Sequence, residues 1–252
     1  MEVHHHSHLA PGETHNAKKK WTHYFWEFFM LFLAVTAGFF VENQREHMVE
    51  HRREKEFMVS LVKDLESDTA QFSRIRLYRL NRLRNIDSTI IFFLNHTGVS
   101  VPAAGYTLAA KLFGHTSFFQ NSGTLDQLKT SEGLRLIRQR NVVDSIQSYD
   151  QQIKRMALRD IYETNLMVDL TKGLQKLFDG RELLRLYADT VYDRKPPTPF
   201  TPVKIEEQYV NEYLNGLKTF HLTVNLDLDL QTTIKIKAAR LIDLIKKEYH
   251  LK

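Results

Sequence analysis

Between Tyr24 and Val41 the chain reads as one apolar run, with Glu27 as its single charge. At the rise of an α-helix such a run covers about 27 Å, enough to cross the hydrocarbon core of a bilayer. Trp21, Tyr24, Phe25 and Trp26 gather at its start, where amphipathic rings favour the headgroup layer. Lys18, Lys19 and Lys20 stand just outside it, and Glu42-Asn43-Gln44-Arg45-Glu46 closes it abruptly. The pattern predicts a transmembrane helix at residues 21–43. Phe39, Phe40 and Val41 carry the apolar run past the small residues Thr36-Ala37-Gly38, which favours an anchor over a cleaved leader.

Behind the span the spacing is helical nearly throughout. From Glu46 to about Asn95, Met58, Val62, Leu65, Thr69, Phe72, Ile75, Leu83, Ile86, Ile90 and Phe93 recur close to the 3.5-residue period of a packed helix. This predicts a stalk that continues the span and becomes a core helix. A loop at His96–Pro102 ends it, and a short apolar helix follows over about Ala103–Phe113. Thr124-Leu125-Asp126-Gln127 has the form of a capping box, opening a helix expected to stop near Gly133 in a left-handed conformation.

A second long helical region starts at Asn141 with Asp144 in its first turn. It carries Ile146, Tyr149, Ile153 and Met156 on one face, loses phase near Asp160, and resumes through Met167, Leu170, Leu174 and Leu177. Asp179-Gly180 suits a stop, with a further short helix over Arg181–Tyr192. The prolines of Lys195–Phe200 demand a loop, so a break is expected near 194–201. Thr201-Pro202 reads as the cap of a helix that buries Val210, Tyr213, Leu214 and Leu217. The alternation of Leu226, Leu228 and Leu230 suggests a short extended piece before a last helix striped by Ile234, Ala238, Leu241, Ile245 and Tyr249.

The fold expected is therefore all-α: a disordered basic, His-rich tail at 1–20, a span at 21–43, and a soluble helical bundle at 44–252. The bundle is expected to form around the stalk helix and an antiparallel partner. With 35 Lys and Arg against 30 Asp and Glu, the net charge of +5 describes a mixed surface, not a nucleic-acid domain. No cysteine is present, which removes disulfides, thiol catalysis and Cys-zinc sites. Lysines before the span are balanced by Arg45, Arg52, Arg53 and Lys55 after it, so the positive-inside rule does not decide orientation. A short basic tail retained inside and an exported domain is the expected arrangement, placing the bundle in the periplasm from a bacterial inner membrane.

Within the span, Glu27, Leu31, Ala34 and Gly38 share one narrow helix face. Ala34 and Gly38 form a small-xxx-small pair, and a partner helix would supply polar company for Glu27, so this seam predicts self-association. The competing reading has Glu27 reach the interface alone. His47-Met48-Val49-Glu50-His51 matches the H-x-x-E-H pattern of inverted zinc peptidases. Arg45, Arg52 and Arg53 crowd the same stretch and oppose a cation, so a solvated face is expected there. His4, His5, His6, His8 and His15 lie in the short polar tail without preorganised geometry.

Arg74, Arg76, Arg79, Arg82 and Arg84 point all around a helix, which suits solvation or carboxylate pairing better than nucleic acid. Asp64 and Asp68 share a face without an evident pocket, the usual setting of surface charge. Asn95-His96-Thr97 is a formal glycosylation sequon.

The early Glu27, the exit Glu42-Asn43 with Glu46, Leu61-Val62-Lys63-Asp64-Leu65, and above all Leu128–Ile137 (Leu-Lys-Thr-Ser-Glu-Gly-Leu-Arg-Leu-Ile) resemble a bacterial family of single-span membrane proteins of unknown function. The resemblance implies a membrane location and a helical domain, and supplies no activity and no catalytic residues. The function expected is that of a membrane-anchored interaction or scaffold protein without catalysis, cofactor or metal. Its expected partners are the lipid bilayer, a second copy and an unidentified protein. A ligand-binding sensor, or an oligomeric ion or proton path using Glu27, are the alternatives.

Overall fold

The computed structural model describes residues 17–96, 100–112, 114–130, 133–182 and 203–251. The His-rich tail, the proline loop at 195–200, the Thr201-Pro202 cap and most of Arg181–Tyr192 lie outside them. The fold is all-α, with α1 (Ala17–Leu94), α2 (Ala103–Ala110), α3 (Gly123–Leu128), α4 (Gly133–Leu136), α5 (Arg140–Leu177) and α6 (Glu207–Glu248). Two-residue strands, β1 (Ser100–Val101) and β2 (Val203–Lys204), pair antiparallel with Val101 opposite Val203. Contacts divide the chain into two units, residues 1–53 and 54–252.

The first unit is helical from Ala17, and every residue from Trp21 to Val49 is exposed. Among the described residues one helix is long and apolar enough to cross a membrane, and it is this one.

The second unit is a three-helix bundle of α1 from Glu54 onward, α5 and α6. Tyr149 bonds Asp68 and Arg82 bonds Glu163, so position rises along α1 and α5 together and the two helices run parallel. Against α6 the order reverses: Lys246 meets Glu66, Gln231 meets Phe72, and His221 meets Asp87. The stalk helix thus has the antiparallel partner expected of it. The antiparallel partner of α1 is α6, because the long connection through α2, α3 and α4 carries the chain back beside the Glu54 end before α5 begins.

Local expectations are revised. Leu226, Leu228 and Leu230 sit inside α6, not in an extended piece, and α6 opens at Glu207 behind Glu206. The second long helical region is one continuous helix, α5, through the phase slip at Asp160. Its start falls one residue before Asn141. Thr124 is not a cap: α3 begins at Gly123 behind Ser122 with no side-chain cap bond, and the Thr124 N–H donates to Asp64 Oδ2 at 3.2 Å. Gly133 begins α4 rather than ending α3, and its φ is not positive. Glycine is needed there for a close approach, since a Cβ would lie 2.6 Å from Leu128 Cα.

The apolar interior forms two clusters. One, toward the Glu54 end, joins Met58, Leu65 and Phe72 to Ile146, Ile153, Ile234 and Ile245. The other, toward the Phe93 end, joins Ile86 and Phe93 to Tyr106, Leu174, Tyr213 and Phe220.

Candidate functional site

Charged side chains cross the bundle between the two clusters. Arg79 is 2% exposed and Glu163 1%. Arg79 Nη2 lies 2.9 Å from Glu163 Oε2 and 3.5 Å from Asp160 Oδ1, and its Nη1 lies 3.5 Å from Asp227 Oδ2. Arg82 donates to Glu163 Oε1 at 2.9 Å, to the Tyr78 hydroxyl at 2.7 Å and to the Gly114 carbonyl, and packs over the Phe220 ring. Arg159 pairs with Asp227, and His115 Nε2 stands 3.4 Å from Asp160 Oδ2. Three arginines thus face three carboxylates supplied by α1, α5 and α6.

Burial pushes the Glu163 carboxyl above its ordinary value. Asp227 adds to that shift, while Arg79, Arg82 and His115 oppose it. Arg79 Nε and Nη1, Glu163 Oε2 and Asp227 Oδ2 make no well-aligned hydrogen bond, so charge attraction more than bonding geometry holds them. Desolvating such ions costs several kcal/mol each, about as much as their mutual attraction returns. The layer's physical effect is therefore selective. Sliding any helix by one turn strands a buried charge, which fixes the register of all three.

In the sequence Arg79 and Arg82 do not stand apart from Arg74, Arg76 and Arg84, all suited to solvation or carboxylate pairing. The structure buries these two among carboxylates and leaves Arg74, Arg76 and Arg84 exposed. Asp160, Glu163 and Asp227 were missed. Their signal was the broken hydrophobic phase, near Asp160 in α5 and within Leu226–Leu230 in α6, where the buried acids Glu163 and Asp227 occupy core positions.

Asp64 and Asp68 are not ordinary surface charge either. Asp68 is 1% exposed; its Oδ2 accepts from the Tyr149 hydroxyl at 2.7 Å and its Oδ1 from Asn121. Burial, followed by the Asp68 carboxylate, drives the Tyr149 hydroxyl far above its ordinary range, keeping it a donor.

A half-open groove of 570 Å³ lies beside the Leu128–Ile137 segment, lined by Leu125, Lys129, Leu134, Gln147, Asp150, Gln151 and Lys154 among others. Burial alone would raise the Asp150 carboxyl. Bonds from Lys129 and Lys154 outweigh it and hold the group below its ordinary value.

The seam residues Glu27, Leu31, Ala34 and Gly38 are all exposed on α1, and a Cβ at Gly38 would meet nothing within 4 Å. No fold-internal close approach therefore requires that glycine. His47, Glu50 and His51 lie on α1, with His47 Nδ1 3.7 Å from Glu50 Oε2. No group of three or more potential metal ligands converges among the described residues. Asn95 is exposed just past the end of α1, and Thr97 lies outside the described residues. No protein-family model, curated protein or solved structure matches the chain.

Proposed function

We propose that this chain is a single-pass membrane protein whose helical bundle binds other proteins and performs no catalysis. Exposure carries the reading: Phe25, Trp26, Phe28, Leu31, Phe32, Phe39 and Phe40 all face outward on one helix. Full burial of such a side chain is worth about 1.5–3 kcal/mol, and an apolar surface of this extent on a water-soluble helix invites aggregation. A bilayer around residues 21–43 removes that penalty. The resemblance of Leu128–Ile137 to single-span bacterial proteins supports the same placement, in the inner membrane with the bundle on the periplasmic side. Glu27, Ala34 and Gly38 supply a face for self-association, where a second copy would cover the lone carboxylate.

Lack of catalysis is inferred from how the bundle uses its converging ionisable groups: the three acids and three arginines of the buried layer are spent on one another. The test is membrane partition. The full chain is expected to stay with membranes through alkaline carbonate and to enter solution with detergent, while a chain lacking residues 1–43 is expected in the soluble fraction with its helical signal intact. Full-length protein released by carbonate alone would contradict the anchor.

A second reading, small-ligand sensing, has the 570 Å³ groove in its favour, a volume within the usual range of ligand sites. A stabilising ligand found by thermal shift and abolished by Lys129→Ala would support it.

A further inference from the structure

Residues 114–122 link α2 to α3 without regular secondary structure, yet they are held along their length by one stripe of α1. Arg82 donates to the Gly114 carbonyl. The Gln71 amide bonds both main-chain groups of Phe119, accepting from its N–H at 2.7 Å and donating to its carbonyl at 2.8 Å. Asp68 Oδ1 accepts from the Asn121 N–H at 2.9 Å, and Asp64 Oδ2 from the Thr124 N–H at 3.2 Å. Asp64, Asp68, Gln71 and Arg82 fall on one helix face, and the strap runs antiparallel to them.

Two strap side chains add anchors on α1. The Phe118 ring stacks on Phe72 at 4.1 Å between centroids and 8° between planes. The Asn121 amide donates to Asp68 Oδ1 at 2.8 Å and Ser67 Oγ at 3.0 Å. Main-chain bonds that any extended peptide can make, combined with two side-chain anchors, are how protein grooves recognise peptides.

We infer that the α1 stripe Asp64, Asp68, Gln71 and Arg82 is a binding site for an extended peptide with an aromatic residue three positions before an asparagine, occupied in cis by the chain's own strap. This rests on the reading of the chain as an interaction protein, and not on its membrane anchor. The tethered strap holds the site at an effective concentration in about the millimolar range, so a partner's segment enters only when the strap leaves. Gly114, at φ +106°, opens the strap in a backbone conformation that suits glycine. The strap carries no acidic residue, in keeping with the two aspartates beneath it.

The test uses the full chain in detergent micelles with residues 115–122 replaced by a Gly-Ser linker of equal length, and a fluorescent peptide of sequence Gly114–Thr124. Fluorescence anisotropy is expected to show saturable binding to the linker variant. Binding should fall by about tenfold or more when the peptide carries Phe118→Ala or the chain carries Gln71→Ala, and in the intact chain, where the strap competes. No saturable binding to a linker variant that keeps its helical circular dichroism overturns the inference, as does binding indifferent to both substitutions.

Should the linker variant lose its helical signal, Phe118→Ala in the otherwise intact chain replaces it. Amide exchange over 114–122 is then expected to quicken while α1 and α5 stay protected, with the wild-type peptide now bound. Absence of peptide binding there also overturns the inference. A chain that binds the peptide but is released from membranes by carbonate keeps the groove and loses the anchor, so the two failures are distinct.

Discussion

The outward-facing stretch of α1 and the middle of the bundle invert the usual arrangement of a protein in opposite ways. Phe39 is 75% exposed and Trp21 73%, while Arg79 and Glu163 are 2% and 1% exposed. Apolar side chains face out where a bilayer would solvate them, and charges face in where opposite charges do. A residue's own polarity therefore says less about its place than the polarity of what surrounds it. The two regions differ in what they demand: the exposed apolar stretch, on the proposed reading, needs only a solvent of low polarity, whereas the layer needs particular partners from three helices in register.

The largest expected effect breaks the layer. Glu163→Ala leaves Arg79 and Arg82 without their shared carboxylate, and a loss of about 3–5 kcal/mol is expected in urea unfolding. Arg79→Met combined with Glu163→Leu should cost less than the two single changes added together, because the pair leaves the interior as a unit. Strict additivity would show the layer to be uncoupled.

The span is broken next. Leu33→Arg puts a charge near its middle, at about 2.5–3.5 kcal/mol on the insertion scale, and should raise the carbonate-extractable fraction without unfolding the bundle. An unchanged fraction would count against the bilayer as the solvent of this helix.

A subtler substitution tests partner-specific burial elsewhere in the bundle. Tyr149→Phe removes the hydroxyl donated to Asp68, for an expected loss of about 1.5–3 kcal/mol by thermal or chemical unfolding.

The smallest effect is the pH dependence. The raised Glu163 pKa means that the folded state holds this proton more tightly than the unfolded chain. Stability should therefore fall as pH rises from the ordinary glutamate value through the raised one. Asp150 acts with the opposite sign: its lowered pKa contributes stability above the ordinary aspartate value, lost as pH falls through the folded one. Glu163→Gln should remove the first slope and Asp150→Asn the second, both read from unfolding free energy against pH.

The parts of this fold readable from sequence are those where one period governs. The α1 stripe through Phe72 and Phe93, the α5 stripe through Tyr149 and Met156, and the terminal stripe through Ile245 all reach the interior. Periodicity failed at Asp160 and among Leu226–Leu230 because burial there is decided by charges on other helices, which a single helix's pattern does not contain. The parallel course of α1 and α5 was hidden for a related reason. A long connection permits either direction, and the bonds that settle it, such as Tyr149 to Asp68, are far apart in sequence. Gly133 was legible as special but not as a contact point, since both a left-handed turn and a close approach call for glycine. The strap carrying Phe118 and Asn121 left no periodic signal, because it is held mostly through its main chain.

The most direct test of the span uses the absence of native cysteine, which makes any introduced thiol unique. Single cysteines placed along residues 17–53 would be treated in native membranes with a water-soluble maleimide that does not cross bilayers, followed by labelling in detergent. A bilayer around the span predicts a continuous protected band from about Tyr24 to Val41 on every face of the helix, with its labelling recovered in detergent and a reactive flank on the accessible side. Uniform reactivity through the band, or protection confined to one helix face, would contradict a bilayer as the surroundings of this helix.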